Sequence, residues 1–135
     1  MNQHHAALNT NHKPLTPIKS FKDLSVWQKS IDFVASVYLL VKQLPKEETY
    51  ALSDQIRRAV VSIPSNIAEG FGRNSTKEYI QFLYIALGSA SEVETQIIIG
   101  QRIGYFQNID KYIEDITEIK KMLNGLISSL KRKIQ

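Results

Sequence analysis

The sequence predicts an all-α fold, an antiparallel up-down-up-down bundle of four helices. Apolar residues recur at helical spacings of three and four in four successive segments. No segment alternates apolar and polar residues with the period of two that strands require. The connections are short, roughly five residues each, as antiparallel neighbours require. A length of 135 residues suits one domain with a single core.

Residues 1–20 differ in composition from the rest of the chain. They are rich in Asn, His, Thr and Pro and contain little to bury, so we expect a flexible N-terminal tail followed by a bundle domain over residues 21–135. All three histidines, His4, His5 and His12, lie in this tail. His4 and His5 could bind a stray metal ion, although a mobile tail is the simpler interpretation.

The first helix is predicted from Leu24 to Leu44, with Asp23 as its N-cap and Pro45 just after its end. The spacing of its apolar residues indicates an amphipathic helix that covers one side of the core. Six residues form the predicted stripe: Leu24, Trp27, Ile31, Val34, Tyr38 and Val41.

The second helix is expected to begin near Glu47 or Glu48 and to end at Gly70 and Gly72. Pro64 lies inside it and cannot donate a hydrogen bond to the preceding turn, so we expect a kink. The predicted inner stripe consists of Leu52, Ile56, Ala59, Val60, Ile63 and Ile67. Beside that stripe the sequence predicts a polar seam around Pro64, formed by Ser62, Ser65, Asn66 and Glu69.

Two interpretations of the polar seam remain open. Arg57 or Arg58 could pair with Glu92 or Glu94 of the third helix in an ordered network at a subunit boundary. Alternatively the seam faces water, and each ion pair then contributes only ~0–1 kcal/mol.

The third helix is predicted from Thr76 to about Ile103, because Ser75 and Glu78 form a capping box and Gly104 is a stop signal. The fourth helix follows an expected cap at Asn108. Its predicted buried face consists of Ile109, Tyr112, Ile116, Ile119, Leu123, Leu126 and Leu130.

The third helix is apolar nearly all round, which predicts burial on more than one side and therefore self-association of the chain. A wide core stripe is the alternative interpretation. The candidate interface includes Pro64 and the polar seam, together with residues of the third helix: Ile80, Leu83, Leu87, Glu92, Glu94 and Ile98.

Three blocks, FKDLSVWQKS, QIRRAVVSIPSNIAEGFGR and EYIQFLYIALGSASEVETQ, resemble the signature blocks of the 23S rRNA intervening-sequence protein family, also called the four helix bundle protein family. The resemblance covers roughly Phe21 to Lys121. It implies a bacterial cytoplasmic protein, a left-handed four-helix bundle and a ring-like homopentamer. More distant relatives, the accessory proteins of diversity-generating retroelements, form pentamers and bind nucleic acid and a reverse transcriptase. The family has no assigned catalytic residues, so the resemblance supplies no mechanism.

The function that this pattern favours is a non-enzymatic oligomer that binds RNA or DNA through basic surfaces. Exposed Tyr50, Phe71 or Tyr105 near the loops could stack on bases. The alternative is a protein-interaction scaffold or accessory subunit without direct nucleic-acid contact, and interspersed lysines can equally be a solvated face. The candidate contacts are Lys29, Lys42, Lys46, Arg57, Arg58, Arg73, Lys77, Lys120, Lys121, Lys131, Arg132 and Lys133.

Composition argues against several other classes of function. The chain has no cysteine, which fits a reducing cytoplasm and removes thiolate chemistry. Without a histidine in the predicted bundle, a di-iron site or a histidine general base is not expected. We therefore expect no enzyme, no cofactor and no bound metal. No apolar run approaches the ~20 residues of a membrane span, so no membrane contact is expected.

Overall fold

The computed structural model describes residues 17–134, and over this range it contains four α-helices and no β-strand. The all-α prediction is confirmed. Most of the predicted tail, residues 1–16, and residue 135 lie outside the described residues. Helix α1 spans Ser25–Val41, α2 Leu52–Phe71, α3 Thr76–Ile103 and α4 Asp110–Arg132, and short 3-10 helices span Phe21–Asp23 and Lys46–Glu48.

The helices surround a single hydrophobic core. Helix α1 packs against α2 and α4, and α3 packs against the same two helices. Specific contacts align α3 with α4: Lys120 bonds to Glu94, and the ammonium group of Lys131 lies over the ring of Tyr84. Every helix contributes fully buried side chains, including Val37, Ile63, Ile97 and Leu123, to this core.

The ends of α3 are as the sequence predicts. The helix begins at Thr76, and the Ser75 hydroxyl accepts a hydrogen bond from the Glu78 backbone N–H at 3.1 Å. It ends at Ile103, because Gly104 adopts a φ of 101°, a left-handed conformation that favours glycine. These signals involve only residues within a few positions of the helix ends, so the sequence alone is enough to recognise them.

Two other predicted helix starts need correction. Helix α1 is capped by Leu24 without a side-chain hydrogen bond, while Asp23 instead accepts from the backbone of Lys19 and Ser20 around the first 3-10 helix. Helix α2 begins at Leu52, later than predicted, and the Glu48 carboxylate accepts from the Leu52 backbone N–H at 3.3 Å.

The start of α4 lies close to its prediction. Helix α4 begins at Asp110 with Ile109 in the N-cap position. The predicted cap, Asn108, still accepts from the Asp110 backbone N–H at 3.4 Å. Asparagine side chains favour this local bond at helix starts, so the sequence signal is real although the cap is displaced by one residue.

The predicted stripe of α1 is confirmed at its ends, where Leu24 and Val41 are buried, and is displaced by one position between them. The buried face consists of Val26, Ser30, Phe33, Val37, Leu40 and Val41, whereas Ile31 and Tyr38 are each 40% exposed. The predicted and observed stripes have the same spacing and are displaced by a single residue, about 100° around the helix. Periodicity alone cannot choose between two adjacent apolar faces, so packing against α2 and α4 decides.

Helices α2 and α3 approach each other closely near the end of α2. A Cβ atom on Gly70 would lie 2.7 Å from the Cβ of Phe82, so only glycine fits there without a shift. The assigned α2 helix continues through Pro64, whose side chain is buried. The expectation that no apolar run approaches a membrane span needs correction, because among the described residues α3 is long and apolar enough to cross one. An 18-residue stretch of this helix has a mean hydropathy of 1.2, and 33% of the stretch is buried. Core helices pass the same test, so this property does not assign α3 to a membrane.

Candidate nucleic-acid and subunit interfaces

Five of the predicted cations lie at the end of the bundle where α3 begins and α4 ends. Two of them are fixed on aromatic rings of that helix: the Arg73 guanidinium lies 4.5 Å from the centroid of Phe82, and the Lys131 ammonium lies 5.1 Å from that of Tyr84. Such contacts hold a cation in place without neutralising its charge. We call this group the cationic end, and it consists of Arg73, Lys77, Lys131, Arg132 and Lys133.

The cationic end also contains acidic groups that weaken its field. Glu69 pairs with Arg73 at 3.3 Å, and both side chains are exposed. Glu78 is engaged with the Ser75 hydroxyl at the start of α3. A surface pair of this kind contributes little energy, so Arg73 can exchange Glu69 for another anion at small cost.

The other predicted cations do not form a second cluster of this kind. Arg58 pairs with Asp54 on its own helix at 3.0 Å, and Arg57 donates to the Ser53 hydroxyl at 2.7 Å. Lys42 and Lys46 are exposed around the α1–α2 connection, and Lys121 is exposed on α4. Their role as nucleic-acid contacts stays a prediction.

Two predicted contacts instead hold helices together. The Lys120 ammonium lies 2.9 Å from the carboxylate of Glu94, across the α3–α4 boundary, and both side chains are about a quarter to a third exposed. Lys29 reaches Asp115 of α4 at 3.6 Å. Lys111 shares that carboxylate at 2.8 Å, and this hydrogen bond raises the pKa of Lys111. These pairs link α4 to both of its neighbours.

The polar seam forms a hydroxyl network with α3. The hydroxyl groups of Ser62 and Ser89 lie 2.8 Å apart, and the Asn66 amide donates to both the carbonyl and the hydroxyl of Ser62 at 2.8 Å. Ser65 remains exposed beside them. Within the described chain Arg58 binds Asp54, Arg57 binds Ser53 and Glu94 binds Lys120. The expected Arg–Glu pairing at a subunit boundary stays a prediction.

The predicted interface on α3 needs correction at two residues. Ile80 and Leu83 are buried in the core of this chain, so neither has surface left for a neighbouring copy. Leu87 is half-buried against the same core, while Ile98 and Glu92 are exposed. The exposed apolar surface of α3 lies elsewhere and includes Tyr84, Ile85, Ile99 and Ile103.

An apolar groove between α1 and α2 was not predicted. It consists of two adjoining depressions of about 280 Å³ and 380 Å³, with Val61 lining both. We call this surface the α1–α2 groove, and its apolar lining consists of Trp27, Ile31, Val34, Tyr38, Val61 and Pro64. The apolar stripe of α1 could have indicated this groove, but the prediction placed that stripe in the core.

Within residues 17–134, no group of three or more His, Asp or Glu side chains is placed to hold a metal ion. The buried Tyr79 hydroxyl and the Gln96 side-chain carbonyl lack a hydrogen-bond partner in the same range. Burial raises the pKa of Tyr79, so this phenol resists ionisation more strongly than an exposed one.

Comparison with known proteins identifies the family. Residues 22–125 match the sequence profile described as 23S rRNA-intervening sequence protein. The chain belongs to that family. It is also similar to a crystal structure at 1.70 Å of a protein with unknown function from the S23 ribosomal protein family of Bacteroides thetaiotaomicron VPI-5482.

That likeness is close enough to compare whole chains. The two sequences are 33% identical, and the match covers 76% of this chain and 97% of the other, with a TM-score of 0.70. No curated protein matches this family member. The comparisons therefore establish family and fold, and the function has to be argued from the surface of the molecule.

Proposed function

We propose that this family member is a non-enzymatic homo-oligomer that binds nucleic acid, RNA or DNA, through the cationic end. The observation that carries the proposal is the convergence of five cations from the α2–α3 turn and the end of α4 on one end of the molecule. Arg73 and Lys131 are pre-positioned on aromatic rings, which lowers the entropy lost when they contact phosphate.

Electrostatics favour a polyanion as the ligand. Each phosphate that a cation neutralises releases condensed counterions, so affinity grows with the number of cations engaged at once. An oligomer repeats the cationic end in every copy and multiplies that number. A small anion would contact only one or two of these side chains and would therefore bind far more weakly.

For the assembly we propose a pentamer of left-handed, antiparallel up-down-up-down bundles. Contact pairs support the antiparallel order: Glu94 with Lys120 and Tyr84 with Lys131 run in opposite directions along α3 and α4. Ser62 with Ser89 and Gly70 with Phe82 do the same along α2 and α3. The handedness and the number five rest on the family resemblance. We also propose a cytoplasmic location, which the family resemblance implies and which the cysteine-free composition fits.

The test is binding of labelled single-stranded RNA and duplex DNA by fluorescence anisotropy at several salt concentrations. A triple variant at the cationic end, Lys77→Gln with Arg132→Gln and Lys133→Gln, removes three charges without disturbing the two ring contacts. We expect its affinity to fall at least tenfold. The slope of log affinity against log salt concentration should become shallower by about 0.9 for each duplex phosphate that the variant no longer neutralises.

A matched control removes the same charge elsewhere, through Lys42→Gln, Lys46→Gln and Lys121→Gln. It should change affinity by no more than about twofold if the cationic end is the contact surface. Equal reductions of affinity in both variants would refute the assignment of the site. Absence of wild-type binding at low salt would overturn nucleic-acid binding itself, and would leave the scaffold, bound to another protein, as the better explanation.

A further inference from the structure

We infer that the exposed apolar stripe of α3 docks into the α1–α2 groove of the next copy of this chain. This inference rests on the proposed homo-oligomer and assigns the surfaces that build it. We call the α3 surface the outer stripe, and it consists of Ile85, Glu92, Ile99 and Ile103.

The groove has the shape and chemistry to receive a helix. Trp27, Ile31, Val34 and Tyr38 line its α1 wall at intervals of four, three and four residues, so they follow one side of that helix. Val61 and Pro64 form the opposite wall. Ile31 and Tyr38 are each 40% exposed, so the α1 wall presents apolar surface to water over about three turns. Asp54, Arg57 and Arg58 make the α2 side charged at the end near Tyr38.

The outer stripe has the complementary form, a ridge along a single helix. Ile85, Glu92 and Ile99 follow one another at intervals of seven residues, so they project in nearly the same direction, and Ile85 is 51% exposed. Between them, a Cβ atom on Gly88 would meet nothing within 4 Å, so the ridge has open space beside it. Isoleucine side chains on such a ridge fit the knob-into-hole packing that joins helices.

Charge distinguishes this pairing from a general apolar contact. Arg57 lines the groove, and its described partner is the neutral hydroxyl of Ser53. Glu92 lies in the outer stripe, is exposed, and makes no ion pair among residues 17–134. Docking of the stripe into the groove brings these opposite charges to the same boundary, where burial strengthens their attraction.

The groove and the stripe are different surfaces of one chain, so their contact is heterologous. Each copy offers one groove and one stripe, and successive copies are related by the same rotation. Such contacts close into a ring when the rotation divides a full turn. The inference therefore predicts a head-to-tail assembly, a ring or an open filament, rather than an assembly of two-fold dimers.

The experiment blocks the two surfaces separately. Ile31→Glu places a charge in the groove, and Ile85→Glu places one in the stripe. Native mass spectrometry should give an oligomer for the wild type and a 15.4-kDa monomer for each variant alone. Mixing the two variants should give a dimer and nothing larger, because the mixture contains one intact groove and one intact stripe per pair.

Two further variants separate docking from general damage. Leu39→Glu charges an exposed leucine of α1 outside the groove and should leave the oligomer intact. Arg57→Glu and Glu92→Arg should each weaken the oligomer at least tenfold, and their combination should restore most of that loss.

The outcomes are distinguishable. If the wild type is an oligomer but neither Ile31→Glu nor Ile85→Glu reduces its mass, the surfaces are wrongly assigned while the proposed oligomer stands. If each variant is monomeric and their mixture stays monomeric, the contact is not heterologous. A monomeric wild type would overturn this inference together with the proposed assembly, and nucleic-acid binding by the cationic end would remain a separate result.

Discussion

The α3–α4 side of the bundle is closed by polar contacts between Tyr84 and Glu94 of α3, whereas the α1–α2 side carries an open groove with an apolar α1 wall. On the first side, Lys120 bonds to Glu94 and Lys131 covers the ring of Tyr84, so charged groups seal the boundary between the helices. On the second side, Ile31 and Val61 remain exposed along a groove. Both sides enclose the same core, and the polar contacts cover only part of the first side, because a depression of about 490 Å³ lies beyond them between Ile98 and Ile113.

This difference shows that the chain uses its polar residues selectively. A partly exposed ion pair adds little stability, but its long side chains cover apolar surface and keep a helix boundary from attracting a neighbour. An open apolar boundary has the opposite effect, since water is released when another surface covers it. We therefore expect substitutions on the closed side to change the stability of the chain, and those on the open side to change its assembly.

The largest effect is expected at the connection that closes α3 against α4. A Cβ atom on Gly100 would overlap the ring of Phe106, which is almost completely buried. Gly100→Ala should therefore destabilise the fold by about 1–3 kcal/mol through overpacking, more than the ~0.5–1 kcal/mol that alanine contributes in a helix. Urea denaturation measures the free energy of unfolding.

Gly125→Ala is the matched control for this substitution. A Cβ atom there meets nothing within 4 Å, so alanine should raise the free energy of unfolding by ~0.5–1 kcal/mol through helix propensity alone. Equal stability of the two variants would mean that the packing of Phe106 tolerates a methyl group at Gly100.

Much of this closed side could be predicted from the sequence. Ser75, Glu78 and Gly104 fix the ends of α3 through bonds and dihedral angles within a few residues. The open side could not be predicted in the same way, because α1 carries two apolar stripes displaced by one residue. Which stripe turns inward depends on the neighbouring helices, and no local signal contains that information.

The second prediction concerns the open side. Pro64 is buried and lines the groove, so Pro64→Ala should deepen the groove while improving the helix propensity of α2. Because Pro64 is itself buried, its ring carbons act on docking only through the packing beneath the groove. Their removal should weaken docking by less than about 1.5 kcal/mol, under tenfold in the dissociation constant. Sedimentation velocity over a dilution series measures this change.

Pro45→Ala serves as the control, because that proline lies in the α1–α2 connection outside the groove lining. It should leave the oligomer unchanged at every concentration. A Pro64→Ala variant with the same mass and melting temperature as the wild type would show that the proline has no role in assembly.

The candidate sites, like the helices, could be predicted from the sequence only in part. Lys131 and Arg132 were selected as cations from the sequence, but Lys120 and Lys29 were selected on the same ground and bond to carboxylates of neighbouring helices. Each of their partners, Glu94 and Asp115, lies on another helix and is distant in sequence. A charge count cannot separate a solvated cation from one that joins helices, because only the packed helices bring the carboxylate close.

The smallest effect is expected where the two connections at one end of the bundle meet. The Tyr105 hydroxyl donates to the Glu48 carboxylate at 3.0 Å, and this hydrogen bond, together with partial burial, raises the pKa of Tyr105 above its ordinary value of 10.0. Because the folded-state pKa is raised, the bond contributes its full stability below pH 10.0. That contribution is lost as the pH rises through the folded-state value.

Alkaline titration of phenolate absorbance measures this effect. Glu48→Gln keeps a hydrogen-bond acceptor but removes the negative charge, so it should move the pKa of Tyr105 down towards its ordinary value. Tyr105→Phe should remove the shifted step of the titration altogether. Tyr50→Phe removes a phenol that is 95% exposed in the neighbouring connection, and it should leave that step in place. If Glu48→Gln titrates like the wild type, the two connections are not joined by this bond in solution, and this end of the bundle is held by the packing of Phe106 alone.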